Sequence, residues 1–378
     1  MPVAASQRRS VVGLVRARED LVSAVDDSLN ACGMGDCVSR GDLVLVKPNL
    51  HGGPGHTAPQ VMAAACRWAF GKGARRVLLG DGPYWGMTDC GPYFTAAGVY
   101  QACAESGAEP VFFHAYPYRL HHPQDPQAPR VLGVSRHLHE ADVVINLPVM
   151  KTHFHTLITI ALKNVKGCLR PVDKRRLHGL ELNVALGVVN EVVQPLVTVT
   201  LCDATTAYEG FGPSSATPVP LGLLVASRDP VAVDAVCCQL MELDPRQVRL
   251  IGECATRGVG VGDPARIEVA GERVADHRRR FERPQEALAR HFPGLTIHGQ
   301  HACSVCSQNL VLALQEWQQT GRPLAARSIL IGAGDASEAE LLVGACALRG
   351  RRNAAGVPGC PPAAAAICEA LGPGTRRS

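Results

Sequence analysis

The sequence is poor in aromatic residues and lacks the short motifs of several large enzyme classes. Phe, Trp and Tyr make up 4% of its 378 residues, and they do not form a basic stripe, which excludes a stacking platform for single-stranded nucleic acid. It contains no phosphate loop ending in Gly-Lys-Ser or Gly-Lys-Thr and no Gly-x-Ser-x-Gly nucleophile elbow. Its formal net charge is only +4, so we expect no nucleic-acid partner and no membrane partner.

Long apolar runs are also missing. No run is long enough for a membrane span, and the N-terminus lacks the apolar core of a signal peptide. We therefore expect a cytoplasmic protein, in which the 15 cysteines are free thiols and metal ligands rather than disulfides. With 46% hydrophobic residues, a chain of this length can bury one large α/β domain plus a smaller module.

Short apolar runs alternate with helical patterns over the first two thirds of the chain. Runs at 43–46, 77–79 and 142–146 have the composition of buried parallel strands, and amphipathic segments separate them. This alternation predicts an α/β fold with a mostly parallel, doubly wound sheet core and a small C-terminal metal-binding α/β module. The predicted boundaries are 1–275 for the core, 276–296 for a helical connector and 297–378 for the module.

One stretch combines basic residues with apolar neighbours. Pro148 cannot donate to a sheet ladder, so we expect the preceding strand to end there and Lys151 and His153 to follow in a loop. Lys163 and Lys166 are three residues apart and would share a helix face. A solvated basic loop is the alternative, but these lysines alternate with Leu, Ile and Val. The stretch reads, from 146 to 167, NLPVMKTHFHTLITIALKNVKG.

Polar residues end several of the predicted strands, and the carboxyl ends of parallel strands meet at one edge of a sheet. We therefore expect one lysine-rich cleft. Its lysines either bind phosphate or carboxylate as point charges, or lower one another's pKa so that one acts as a base or an imine former. The candidate catalytic residues are Lys151, His153, Lys163, His178 and Asp203. The candidate substrate-binding residues are Lys47, Asn49, Asp81, Asn164, Lys166, Gly210 and Gly212.

Two of these assignments have structural alternatives. His153 is a general acid or base, or else a structural histidine. Asp203 and Asp229 could hold a metal, but an Asp-Pro pair such as Asp229-Pro230 more often starts a helix, so we set Asp229 aside.

Four cysteines near the C-terminus have the pattern of a metal site. Cys303 and Cys306 form a C-x-x-C, while Cys346 and Cys360 lie on glycine-bearing loops. Four thiolates suit a 4Fe–4S cluster or tetrahedral zinc, and the proline after Cys360 favours the cluster. The alternatives are zinc and unligated thiols, with Cys368 as a substitute ligand. A metal would also stabilise a module whose own core is thin.

Several short motifs follow one another in a fixed order along the chain. They are Lys47-Pro48-Asn49, Lys151-Thr152-His153, Leu162-Lys163-Asn164, Gly167, Asp203, 210–213 and Asp229-Pro230 to Asp234. This ordered succession resembles a prokaryotic family catalogued as domain of unknown function number 362, over about residues 40–265. That resemblance implies a frequent association with iron–sulfur modules and says little about the reaction. The Gly-Cys-Pro-Pro end resembles cluster-ligand segments of complex I and nickel–iron hydrogenase small subunits, and the core is similar to the nickel-pincer lactate racemase.

These patterns lead to three alternative functions. The first is an iron–sulfur reductase of a small anionic substrate, with a possible electron-donor protein as partner. The second is a lyase, isomerase or hydrolase that uses the lysines, with a purely structural metal. The third is an electron-transfer or scaffold protein without its own substrate. The sequence leaves open whether the cysteine module faces the lysine cleft.

Overall fold

The computed structural model describes residues 9–50, 55–82, 89–177, 179–211, 215–299, 302, 304–335, 337–351 and 356–372. Its strands form a ten-stranded sheet, a four-stranded sheet and a two-stranded ribbon. The strands are β1 Ser10–Arg16, β2 Leu43–Pro48, β3 Arg76–Asp81, β4 Glu109–Phe112, β5 Tyr118–His121, β6 Leu132–Ser135, β7 Val143–Leu147, β8 Val149–His153, β9 Leu157–Thr159, β10 Val199–Phe211, β11 Ser215–Ser227, β12 Ile267–Gly271, β13 Thr296–His298, β14 Ser328–Ile331, β15 Leu341–Val343 and β16 Gly356–Val357.

The large sheet has the order β12-β1-β11-β10-β7-β2-β3-β4, and β8 and β9 extend it beside β10. Its parallel pairs include β2 with β3, β2 with β7 and β3 with β4. Its antiparallel pairs are β1 with β11, β10 with β11 and β8 with β9. The mostly parallel α/β core that the sequence predicts is therefore confirmed.

Helices cover both faces of this sheet because alternate strand residues point to opposite sides. In β2, Val44 and Val46 pack in the cluster that includes the helices at 21–31, 59–71 and 99–106, whereas Leu45 packs in the cluster that includes the helices at 182–193, 230–240 and 249–256. The helices are α1 Leu21–Ala31, α2 Pro59–Gly71, α3 Gly91–Ala96, α4 Val99–Ser106, α5 His137–Glu140, α6 Ala161–Asn164, α7 Pro171–Leu177, α8 Leu182–Val193, α9 Pro230–Leu240, α10 Arg249–Thr256, α11 Val274–His277, α12 Pro284–His291, α13 Ser304–Gln319, α14 Ala345–Leu348 and α15 Ala364–Ala370.

The strand order reverses at β2. From β2 the chain adds β3 and then β4 on one side, whereas β7 pairs with the other side of β2, with Lys47 opposite Asn146. Open α/β sheets bind ligands outside the carboxyl ends of their strands at such a reversal. The fold therefore places Lys47 and Asn146 where a ligand site is expected.

The segment after Pro148 differs from the prediction. Lys151 and His153 lie on β8, a strand, rather than in a loop. Pro148 ends the pairing of β7, but the next residues pair with the distal half of β10 and with β9. Both side chains are consequently held on a rigid element and are buried.

The sequence also predicts a helix from about 178 to 194, a short hairpin at 267–274 and a helix capped by Thr57, and the structure corrects all three. The helix begins at Leu182. Residues 267–271 form one strand, β12, which runs parallel to β1. Thr57 does not cap α2; its hydroxyl donates to the carbonyl of Leu147 at 2.8 Å, and α2 starts after Ala58. The Asp229-Pro230 start of α9 is confirmed, with the Asp229 carboxylate accepting from two helix amides.

The C-terminal part forms its own parallel sheet in the order β13-β14-β15-β16. A separate apolar cluster joins this sheet to α13 and α15, including Trp317, Ile329 and Ile367. The small α/β module is therefore present, while its boundaries at 276 and 297 stay predictions. Within the residues that the structure describes, no helix is both long and apolar enough to cross a membrane.

Candidate functional site

A buried ion pair forms the centre of the site. Lys47, at the end of β2, places its Nζ 2.9 Å from Oδ1 of Asp81, at the end of β3. The same Nζ donates to Oδ1 of Asn164 at 3.1 Å and to the carbonyl of Pro48 at 2.9 Å. Both partners of the pair are almost fully buried. Every donor of the ammonium therefore has an acceptor, which is what a buried charge requires.

Asn49 extends this network to Lys151. The side-chain amide of Asn49 donates to Oδ1 of Asn164 at 2.9 Å, and its oxygen accepts from Nζ of Lys151 at 2.8 Å. Lys151 also donates to the carbonyl of Gly55 at 2.5 Å. Burial lowers the pKa of Lys151 to about 7, the nearby Asp81 charge counteracts this in part, and Lys47 lowers the pKa further.

The two lysines at helical spacing lie on adjoining short helical turns. Lys163 is on α6 and Lys166 follows it in a 3-10 turn at Val165–Cys168, and both are half-buried. Lys163 donates to the hydroxyl of Thr159 at 3.3 Å. Burial lowers the pKa of Lys163 well below its usual value, and the charges of Lys166 and Lys151 add to the effect. Lys163 therefore combines access to solvent with a readily lost proton.

Asp234 positions α6, a role that the sequence did not reveal. Its carboxylate accepts from the amides of Ala161 at 2.8 Å and Leu162 at 3.3 Å, which satisfies the free N–H groups at the helix start. Burial raises the pKa of Asp234 to about 8. In the sequence, Asp234 is a single acid within the apolar helix α9. No sequence pattern therefore indicates that it caps the separate helix α6.

His153 is held as a neutral imidazole. Its Nδ1 accepts from the backbone N–H groups of His155 at 3.1 Å and Thr156 at 3.3 Å. Backbone amides can only donate, so we assign the ring proton to Nε2. Burial lowers the pKa of His153 well below its usual value, and Lys163 is the largest of the positive charges that lower it further. His153 can therefore offer an Nε2–H donor without carrying a charge.

Lys174 is a fifth lysine at the site, and sequence reasoning missed it. Its Nζ donates to the carbonyl of Gly82 and lies 3.0 Å from Nε2 of His114. Burial lowers the pKa of Lys174 to about 7, partly offset by the charge of Asp81. Lys174 lies between Asp173 and Arg175 in a charged run that is typical of a solvated helix face, which conceals its burial.

Gly167 allows the backbone to approach the central ion pair. A Cβ at this position would lie 2.2 Å from Oδ1 of Asp81 and 2.7 Å from Nζ of Lys47. Any larger residue would displace one of these charged atoms. The glycine is therefore required by close approach to the pair.

Tyr93, on α3, was also not predicted from the sequence. Its hydroxyl is buried, and among the described residues it has no hydrogen-bond partner. Burial raises the pKa of Tyr93, and the charge of Asp81 raises it further, which puts the hydroxyl near the central ion pair. A buried hydroxyl without a partner is unfavourable, so a ligand oxygen would be a favourable acceptor for it.

The remaining predicted residues have different positions. The buried carboxylate of Asp203 accepts from the amide of Ala58 at 2.8 Å and the hydroxyl of Thr205 at 2.6 Å, so it fixes the start of α2. Burial raises the pKa of Asp203. Gly210 lies farther along β10, where its amide donates to the carbonyl of Glu282. His178 and Gly212 lie outside the described residues.

The structure partly describes the cysteine module. Cys306 is buried on α13, whereas Cys346 and Cys360 are exposed. The amide of Ala345 donates to the carbonyl of Gly359 at 2.8 Å, so the segments of Cys346 and Cys360 lie side by side. Among the described residues no group of three or more His, Cys, Asp or Glu side chains is placed to hold a metal. Cys303 lies outside the described residues, so the four-cysteine set stays a prediction.

The module contacts the lysine site. Nε2 of His155 lies 2.6 Å from the hydroxyl of Ser307, the residue after Cys306. Nη2 of Arg175, on α7, donates to Sγ of Cys360 at 3.9 Å. The question that the sequence left open therefore has an answer: the cysteine-bearing segments border the helices and strands that carry the lysines.

Comparison with solved structures gives two likenesses of low identity. One is to the lactate racemase apoprotein from Thermoanaerobacterium thermosaccharolyticum, with 12% identity and a TM-score of 0.40 over 64% of this chain and 60% of that one. The other is to a protein from Thermotoga maritima, with 11% identity and a TM-score of 0.34 over 60% of each chain. This chain thus spans 60% of the length of each of these structures.

Comparison of sequences gives a closer relationship. A protein of Synechocystis sp. named thylakoid-associated protein is 32% identical over 231 residues, which are 57% of this chain and 68% of that protein. The family model described as Domain of unknown function (DUF362) matches residues 44–239. That match covers the strands and helices that carry Lys47, Lys151 and Lys163. The chain therefore belongs to the DUF362 family.

Proposed function

We propose that this protein is an enzyme that binds a small carboxylate- or phosphate-bearing substrate among its lysines and transfers a proton to or from it. The observation that carries the proposal is the composition of the site. Lys47, Lys151 and Lys174 lie near one carboxylate, that of Asp81, and Lys47 forms the ion pair with it, while Lys163 and Lys166 add positive charge beside Lys151. An anionic ligand would stabilise such a positively charged, poorly solvated site.

Two lysines have neutral rather than acidic surroundings. In the described part of the chain, Lys151 and Lys163 are bonded to amide, carbonyl or hydroxyl oxygens and form no ion pair with a carboxylate. Lowered pKa values make a neutral amine accessible near pH 7, and a neutral amine can accept a proton. Lys163 is the better candidate base because it is half-buried, whereas Lys151 is fully enclosed.

The surrounding groups suit the negative charge that proton removal creates. When the amine of Lys163 takes a proton from a carbon next to a substrate carboxyl or carbonyl group, the electron pair moves onto the substrate oxygen. His153 and Lys166 lie near Lys163, because the charge of Lys163 lowers the pKa of His153 and the charge of Lys166 lowers the pKa of Lys163. Both side chains could stabilise this oxygen. The result is a lyase or isomerase type of chemistry.

Anion binding tests this proposal directly. We would titrate malonate and inorganic phosphate into the full chain by calorimetry at pH 7, comparing wild type with Lys163→Met and Lys166→Met. Loss of the Lys166 ammonium should weaken binding about tenfold to a hundredfold, and loss of the neutral Lys163 amine, which donates an uncharged hydrogen bond, about threefold to tenfold. Lys72→Met is the matched control, because Lys72 forms a surface pair with Asp26. Equal affinities in all four proteins, or no binding of either anion to wild type, would contradict the proposal.

A second candidate function is a reductase, and one contact favours it. The hydrogen bond between His155 and Ser307 joins the site to the residue beside Cys306. A 4Fe–4S cluster on Cys303, Cys306, Cys346 and Cys360 would supply single electrons, whereas zinc would only stabilise the module. Iron, zinc and acid-labile sulfide analysis of anaerobically purified protein, with EPR after dithionite, separates these two. About four irons and four sulfides per chain would support the reductase, and one zinc without sulfide would exclude it.

A further inference from the structure

Two histidines face each other outside the lysine site. His121 ends β5 and His139 lies on α5. Their Nε2 atoms are 3.2 Å apart, and their rings are nearly parallel, with an angle of 18° between the planes and centroids 5.2 Å apart. Both side chains are half-buried. The pair is therefore fixed in position and still open to solvent on one side.

The charge state of the pair is suited to metal binding. Burial lowers the pKa of both rings, and the positive groups of Arg119, His122 and Arg136 lower one or both further, while Glu140 has the opposite effect on His139. The hydrogen bond between the two Nε2 atoms requires one of them to be an unprotonated acceptor. Neutral imidazole is the form that coordinates a metal, and the ring that carries Nε2–H would shift this proton to its Nδ1 when the metal binds.

The distance between the two Nε2 atoms fits tetrahedral coordination of zinc. Zinc binds imidazole nitrogen at about 2.0–2.1 Å. Two such bonds to nitrogens 3.2 Å apart enclose an angle of about 100°, which is close to tetrahedral. A zinc ion bonded to both nitrogens would therefore lie between the two rings in place of the hydrogen bond.

We propose that His121 and His139 form a binding site for Zn²⁺, with water in the remaining positions. Among the described residues no third His, Cys, Asp or Glu completes a ligand set here, so the protein supplies two ligands. A zinc ion with open positions retains exchangeable water, unlike a closed structural site. The neighbouring arginines reduce the affinity for a cation, so binding should be weaker than in a four-ligand site.

A metal at this site would stabilise the two-stranded ribbon of β5 and β6, which contacts the segment before Lys174. β5 and β6 form an antiparallel ribbon, with His121 opposite Leu132. The amide of Gly133 on β6 donates to the Asp173 carboxylate at 2.7 Å, and the amide of Arg170 donates to the carbonyl of Gly133 at 2.9 Å. A metal that joins β5 to α5 would therefore stabilise the ribbon against the segment that precedes Lys174. This inference does not depend on the proposed catalytic role of the lysines.

The test distinguishes zinc bound at the two histidines from zinc bound at the cysteines, because it follows NMR signals of the histidine rings. The full chain is labelled with ¹⁵N-histidine, freed of metal by chelator, and titrated with zinc chloride while the Nε2 resonances and the zinc stoichiometry are followed. We expect the His121 and His139 signals to shift together in wild type, and one zinc equivalent fewer in His121→Ala and in His139→Ala. His122→Ala is the control, since His122 is adjacent but exposed, and it should retain the full stoichiometry.

Three outcomes would overturn the proposal. One is an unchanged pair of Nε2 signals in wild type while zinc binds elsewhere. Another is a loss of zinc in His122→Ala equal to that in His121→Ala. The third is an unchanged zinc stoichiometry in folded His121→Ala and His139→Ala. His139→Gln, which keeps a hydrogen-bonding side chain, and circular dichroism of each variant without zinc show whether a loss comes from unfolding. If the variants are folded and their stoichiometry equals that of wild type, the pair is only a hydrogen bond.

Discussion

The two kinds of basic residue occupy different regions of this molecule. The chain has 38 lysines and arginines, of which six are lysines, at 47, 72, 151, 163, 166 and 174. All but Lys72 lie at the lysine site, where their charges act on one another's pKa values or on those of the neighbouring histidines. Many arginines instead form exposed ion pairs, such as Arg76 with Glu109 and Arg246 with Asp244.

The separation of lysines and arginines indicates the role of the site. A guanidinium stays charged at any physiological pH, whereas a lysine amine loses its proton when it is desolvated. The surface pairs use the group whose charge is permanent. The site uses the group whose charge is adjustable, and it places Lys151, Lys163 and Lys174 where burial lowers their pKa. The difference favours a site that handles protons over one that only attracts anions.

Breaking the central ion pair should give the largest effect. Lys47→Met leaves the buried carboxylate of Asp81 without its 2.9 Å partner, and removal of one member of a buried pair lowers the free energy of unfolding by about 3–5 kcal/mol. Lys72→Met removes a lysine whose pair with Asp26 is partly exposed, so its cost should be about 0–1 kcal/mol. Urea denaturation measures both. Equal losses would mean that the buried and surface lysines do not differ energetically.

Filling the close contact at the ion pair should have the next largest effect. Gly167→Ala places a Cβ against Asp81 Oδ1 and Lys47 Nζ, and overpacking of this kind costs about 1–3 kcal/mol. Gly252→Ala on α10 is the control, because a Cβ there meets no atom within 4 Å. Alanine is favoured over glycine in a helix, so the control should be neutral or stabilising by up to about 1 kcal/mol. Thermal melts of the two variants should therefore shift in opposite directions or by clearly unequal amounts.

The pH dependence of stability should report the lowered pKa of Lys151. Between the folded value of about 7 and the unfolded value near 10.4, the unfolded chain binds one more proton, so stability rises with pH in this window. Each such group contributes a slope of about 1.4 kcal/mol per pH unit. The slope for wild type between pH 7.5 and 9.5 should exceed that of Lys151→Met by this amount. Superimposable slopes in urea denaturation would show that Lys151 titrates at its ordinary value.

A surface arginine should give the smallest effect. Arg76 and Glu109 are each about half exposed, with side-chain values of 53% and 52%, so solvent screens their attraction. Arg76→Met should change the free energy of unfolding by about 0–1 kcal/mol. The change should shrink further in 0.5 M salt. A loss as large as that of Lys47→Met would contradict the distinction between surface arginines and site lysines.

Much of the site could be predicted because it follows from sheet geometry. Lys47, Asn49 and Asp81 come at the ends of β2 and β3, and parallel strands bring such ends together. Lys163 and Lys166 lie on consecutive helical turns, while the shared face that their spacing suggested stays a prediction. Local sequence pattern and sheet topology were sufficient to predict where these residues lie. Their catalytic and binding roles stay predictions.

The parts that could not be predicted depend on long-range contacts. β8 exists because β10 continues as far as Phe211 and offers a partner, which no pattern near Lys151 indicates. Lys174 is buried by Gly82 and His114, which are distant in sequence. The contact between His155 and Ser307 joins residues 152 positions apart. Each of these depends on which segments meet in three dimensions, and one sequence does not contain that information in a local form.

The most direct measurement is a ¹³C NMR titration of the six lysines in selectively labelled protein, with each signal assigned by a single Lys→Met variant. We predict that Lys151 and Lys174 titrate at about 7, that Lys163 titrates well below its usual value, and that the pKa of Lys72, hydrogen-bonded to Asp26, is raised. That result would support a site whose amines exchange protons near neutral pH. If Lys151, Lys163 and Lys174 all titrate together with Lys72, the central claim is wrong and the lysines only carry fixed charge.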